Sequence, residues 1–164
     1  LEALDPGDWF RRIGFVPQDP QLLESTVAEN IRFYRDATRD EIEAVARLAH
    51  LHDEVVAMPQ GFDTPIGPRH QTVSGGQRQR LCLARALLGR PDLLIRSEHL
   101  VHHTLGEPAE DRLVVVIAHR LSTLNICDRI MVLEDGWVRG LLPPDELEQQ
   151  NECFRDVVAL AGLR

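Results

Sequence analysis

The sequence has no lysine, and all 18 of its basic residues are arginine. A phosphate cradle of the form G-x-x-x-x-G-K-[ST] depends on its lysine, so that loop is excluded from these 164 residues by inspection. Basic charge is also in short supply overall. A formal charge of −8 and a pI near 5.3 exclude a general nucleic-acid or anionic-membrane surface, both of which need a basic face. Cysteine is sparse: Cys82, Cys127 and Cys153 are widely spaced, with no C-x-x-C pair, and read as reduced intracellular thiols used for packing. Long hydrophobic runs are missing too. The longest, Leu113 to Ala118, falls far short of the ~20 residues that span a bilayer, and the acidic N-terminus does not read as a signal peptide. The first residue is Leu1 rather than Met, which points to a fragment.

What is present suffices for one globular core, with 43% hydrophobic residues. The organising stretch is Val73-Ser74-Gly75-Gly76-Gln77-Arg78-Gln79-Arg80. Ser74 suits a helix N-cap, and the glycines leave backbone N–H groups open to close approach at the positive end of the helix dipole, where an anion such as phosphate is favoured. The helix that follows places Leu81, Ala84, Leu87 and Leu88 on one face and stops at Gly89 with Pro91 beyond.

Upstream, Ile13 to Val16 reads as a short buried strand broken by Pro17-Gln18-Asp19-Pro20. Thr26-x-x-Glu29 and Thr38-x-x-Glu41 are capping boxes, the second opening a helix with Ile42, Val45, Ala46 and Ala49 on one face. Leu51 to Met58 continues helically, and Gly61 to Thr72 is a loop. Downstream, Pro91 to Ile95 reads as a buried strand ending in Arg96-Ser97-Glu98, and Leu113 to Ala118 as the clearest buried parallel strand, followed by His119. Asp128 to Leu133 and Trp137-Val138 form a hairpin around Glu134-Asp135-Gly136; Asp145 is expected to cap a helix, and Cys153 to Ala161 to form a last amphipathic one. His99, His102 and His103 have a spacing that suits Zn²⁺ or Ni²⁺, although no fourth ligand is evident.

From about Ile13 to the C-terminus the chain resembles the ATP-binding cassette (ABC) ATPases, best their exporter-type members. Val73 to Leu88 resembles the signature motif and its helix, with Val73 where leucine is usual. The resemblance implies an α/β fold, a partial P-loop NTPase (RecA-like) parallel sheet with an inserted helical subdomain. It also implies three regions: a Q-loop strand region at 1–19, a helical subdomain with the signature at 20–90, and the C-terminal part of the ATPase core at 91–164. Carried over by motif, Ser74, Gly75, Gly76 and Gln77 would meet nucleotide, and Gln18 of the Q-loop would touch Mg²⁺ and the attacking water. Glu98 would polarise that water, and His119 would be the switch histidine. Ser97 stands where the Walker B aspartate supports Mg²⁺, and a hydroxyl is a poorer partner for a hard cation. His99 to Gly106 does not match the D-loop, and Ser97 to His119 is shorter than the corresponding family segment.

The implied cofactors are ATP and Mg²⁺. The implied partners are a transmembrane transporter domain and a second cassette whose P-loop would hold the ATP that this signature covers in trans, at the cytoplasmic inner face of a membrane. Without a P-loop, these residues alone are expected not to hydrolyse ATP and to self-associate. The alternative reading is a non-catalytic interaction module that docks to a membrane or cassette partner.

Overall fold

A computed structural model describes residues 5–67, 73–97, 112–118, 121–124, 126–151 and 154–155. The chain forms two compact units, Leu1–Ile117 and Ala118–Arg164.

In the first unit, helix α1 (Pro6–Arg11) leads into strand β1 (Ile13–Val16). The sequence reading did not anticipate α1, although Asp5-Pro6 carries its start signal: Asp5 caps it and Pro6 takes the first helical position, where a missing N–H costs nothing. Strand β2 (Ser25–Thr26) then feeds α2 (Val27–Arg32), and α3 (Arg39–Leu48) and α4 (His52–Val56) follow. At α2 only half of the predicted box forms, with Thr26 Oγ1 accepting from Glu29 N at 3.1 Å. At α3 the box is complete: Thr38 Oγ1 accepts from Glu41 N at 3.3 Å, and Glu41 Oε2 accepts from Thr38 N at 2.9 Å. Within the stretch read as loop, a 3₁₀ turn at Gly61–Asp63 and strand β3 (Pro65–Ile66) appear, β3 pairing antiparallel with β2.

Helix α5 (Gly75–Leu88) packs against α2, α3 and β1. Its Leu81, Leu83 and Leu87 join Ile31, Ile42, Ala46 and Leu51 in the main core. Each large side chain buried there is worth roughly 1.5–3 kcal/mol of transfer free energy, so the caps select where helices start while this core holds them together. Strand β4 (Leu93–Ser97) lies between β1 and β5 (Leu113–Ile117) in a parallel sheet ordered β1-β4-β5. Gly14 of β1 is required by closeness: a Cβ there would come within 2.9 Å of Pro91 Cγ.

Strand β5 is parallel as expected but is not buried. Leu113, Val115 and Ile117 are 65%, 36% and 52% exposed. Among the described residues β5 pairs only with β4, and its odd-numbered side chains share a sheet face with Phe15, which also lies open. A run of β-branched residues reports the capacity to be buried, and here the cover on that face is incomplete.

In the second unit, a helical turn α6 (Leu121–Leu124) precedes the antiparallel hairpin β6 (Ile130–Glu134) and β7 (Trp137–Leu142). Asp135 and Gly136, at φ +51° and +80°, make a two-residue turn, one residue shorter than the expected Glu134-Asp135-Gly136, because Glu134 stays in the strand and pairs with Trp137. Helix α7 (Pro144–Gln150) packs on β7, and Ile130, Leu147 and Phe154 form a small core. Asp145 does not cap α7. Pro143 holds the N-cap position, and Asp145 sits inside the first turn, where its charge still favours the helix dipole. Of the predicted last helix only residues 154–155 are described, and they are helical.

Cys82 is buried and its thiol is pushed up by that burial, in keeping with a packing role; Cys153 lies outside the described residues. Among the described residues no helix is long and apolar enough to cross a membrane.

Candidate functional site

The start of α5 is built by a reciprocal cap. Ser74 is extended (φ −63°, ψ 161°), its Oγ accepts from Gln77 N at 3.1 Å, and Gln77 Oε1 accepts from Ser74 N at 2.8 Å. Sequence reading identified the Ser74 cap but not this second half, which the S-x-x-Q spacing signals. The Gly75 and Gly76 amides, at the first two helical positions, have no carbonyl one turn earlier to bond to. Both glycines are exposed, and a Cβ built on Gly75 would meet nothing within 4 Å. Two amides without an intrahelical acceptor thus stand on exposed glycines at the positive end of a 14-residue helix.

Gln77 is engaged on every side. Besides the cap, its Nε2 donates to Glu54 Oε2 at 3.0 Å, and the same carboxylate takes Arg80 Nη2 at 2.5 Å. Glu54, a residue the sequence reading did not single out, thus ties α4 to the first turns of α5. What the cap leaves free for an incoming anion is backbone from Gly75 and Gly76, with Arg78 exposed nearby in sequence.

The second group of candidates lies at the sheet's C-terminal edge. Val16 pairs with Arg96, Arg96 with Val116, and Ser97 with Ile117, so the three strands end side by side in one direction. Ligands of parallel sheets bind beyond such ends. Gln18 is exposed two residues past β1, and Ser97 is half-buried as the last residue of β4. Glu98 and His119 lie outside the described residues, as do His99, His102 and His103. For Mg²⁺, Gln18 and Ser97 offer neutral oxygens only, and Arg96, 1% exposed, puts a cation next to Ser97 in the chain. These two residues by themselves do not fit a hard divalent ion. Among the described residues no group of three or more His, Cys, Asp or Glu could hold a metal.

Comparison with known proteins meets this geometry. Residues 4–100 match the family described as ABC transporter. The multidrug resistance-like ATP-binding protein MdlA of Escherichia coli is 40% identical over 168 residues, covering 96% of this chain and 28% of that protein. The mitochondrial potassium channel ATP-binding subunit of Rattus norvegicus is 39% identical, covering 99% of this chain and 24% of its own length. A solved bacterial Atm1-family ABC exporter with ATP bound superposes with a TM-score of 0.81 and 31% identity, over 94% of this chain and 29% of that one. The chain thus spans about a quarter of the length of these relatives. Its parallel sheet and packed helices are a portion of the P-loop NTPase fold as ABC ATPases build it. With the capped glycine pair at the head of α5 and more than half of the sequence inside the matched region, the chain belongs to the ABC transporter family.

Proposed function

We propose that these residues form the signature-motif side of an ATP site in the ATP-binding part of an ABC transporter of exporter type. Ser74, Gly75 and Gly76 meet the terminal phosphate of an ATP whose P-loop belongs to a second cassette, while Gln77 holds the cap that keeps their amides aimed outward. The observation that carries this reading is the reciprocally capped start of α5, with open space in front of Gly75. Gln18, Glu98 and His119 are the residues that family position assigns to the water and the phosphate, with Gln18 and Ser97 the weak Mg²⁺ contributors. The segment from Gln18 through α3 is the face toward a transmembrane transporter domain, at the cytoplasmic surface of a membrane. ATP binding and hydrolysis coupled to transport is the reaction of the whole assembly; these 164 residues, lacking any lysine for a P-loop, contribute to it in trans.

The test is nucleotide titration of the chain with and without an intact, P-loop-bearing cassette. The expected result is no saturable binding by the chain alone, and about tenfold tighter ATP binding by the cassette when the chain is added, lost in Gly75→Asp through like-charge repulsion. Complex formation with unchanged nucleotide affinity would instead support a purely structural interaction module.

A further inference from the structure

Arg85, one turn from the end of α5, reaches away from its own helix toward the segment that leaves the Gln18 loop. Its Nε donates to the Asn30 carbonyl at 2.8 Å, its Nη2 to Asn30 Oδ1 at 3.3 Å, and its Nη1 to the Gln21 carbonyl at 3.3 Å. The guanidinium lies 4.1 Å from the centre of the Phe33 ring, and Arg35 Nη1 donates to the Arg85 carbonyl at 3.0 Å. Asn30 is fully buried and uses both ends of its amide. Oδ1 accepts from Leu23 N at 2.8 Å, and Nδ2 donates to the Leu23 and Thr26 carbonyls, each at 3.0 Å.

We propose that Arg85 and Asn30 are positioning residues that bolt Gln21–Leu23, the segment immediately after the Gln18 loop, to α5, so that this loop and the helix headed by Ser74 keep one fixed separation. Burial lowers the pKa of Arg85, but arginine stays charged at any physiological pH. Three acceptors on two separate segments are reached by one rigid fork, a geometry that a lysine ammonium on a flexible stem cannot reproduce. The hydrogen bonds close without residue-specific chemistry from Gln21 or Leu23, since only their backbones take part, so the bolt is set by two side chains alone. Its consequence for nucleotide rests on the function proposed above, whereas the bolt itself does not.

Amide exchange on the whole chain tests it. Arg85→Lys is expected to speed exchange across residues 17–25 by about tenfold while residues 39–48, in the same core, change by less than about twofold. Asn30→Asp keeps an acceptor for Leu23 N and Arg85 but loses both Nδ2 donations. It should show the same local pattern at smaller size, and it carries the test if Arg85→Lys does not fold. No change at 17–25, or an equal rise at 39–48, would overturn the proposal. Because nucleotide plays no part in this readout, its failure is separable from failure of the ATP titration.

Discussion

Gln77 and Glu54 are joined side chain to side chain at 3.0 Å, while the other end of the Gln77 amide closes the Ser74 cap at 2.8 Å. One glutamine therefore links α4 to the exact turn of α5 whose amides stay open. Glu54 also holds Arg80, whose Nη1 lies 3.5 Å from where a Cβ on Gly76 would sit.

Because Glu54 is 43% exposed at its side chain and Arg80 25%, the link is a solvent-screened one. Glu54→Ala is expected to cost about 1 kcal/mol or less, and Ser74→Ala, which removes the cap itself, about 1 kcal/mol. Urea unfolding midpoints of the two variants check this. A loss above about 3 kcal/mol for Glu54→Ala would mean that the carboxylate carries more than the contacts described.

The Thr38–Glu41 box gives a pH signature. The Thr38 backbone N–H, and then its hydroxyl, hold the Glu41 carboxyl below its ordinary value. A carboxyl lowered in the folded state stabilises above its unfolded pKa of about 4.3 and loses that contribution as pH falls through the lowered value. The stability gap between the native chain and Glu41→Ala should thus be full at neutral pH and shrink below about pH 4. A gap that widens on acidification would contradict the assigned hydrogen bonds.

Gly14→Ala should destabilise by about 1–3 kcal/mol, since its new Cβ would crowd Pro91 and Leu94 where β1 and β4 run side by side. Thermal unfolding measures it. No loss would show that the Pro91 segment yields freely.

The open face of β5 predicts association. Leu113, Val115 and Ile117 lie exposed on the sheet face they share with Phe15 across β4, and β5 has no second neighbour among the described residues. The 164-residue chain should elute as a dimer or larger species by light scattering, and Val115→Arg should shift it toward monomer. A monodisperse monomer of the native chain would count against this.

Helices α3 and α5 were legible in the sequence because their signals are local, whereas α1 was missed although Asp5-Pro6 marks its start. Thr38 and Ser74 announce their caps within three residues, and the spacing of Ile42, Val45 and Ala46 states which face is buried. The hairpin was legible for the same reason at Asp135-Gly136. The side-chain links that escaped were set by partners far along the chain. The Glu54–Gln77 link spans 23 residues, the Arg85–Asn30 bolt 55, and neither leaves a periodic trace. The exposure of Val115 escaped because a β-branched run looks the same whether or not the fold supplies a cover. The signature-side candidates lie within the described residues, whereas the strand-end set is split: Gln18 and Ser97 are described, Glu98 and His119 are not.

In the function proposed above, these residues cover an ATP site but do not hydrolyse ATP alone. Phosphoryl transfer draws on P-loop amides, its lysine and Mg²⁺, each worth several kcal/mol, and every ~1.4 kcal/mol lost is tenfold in rate. The most direct test is phosphate release by the purified 164-residue chain with Mg-ATP, beside Glu98→Gln as control. The expected rate equals that of the control; turnover above background that Glu98→Gln abolishes would contradict the proposed role.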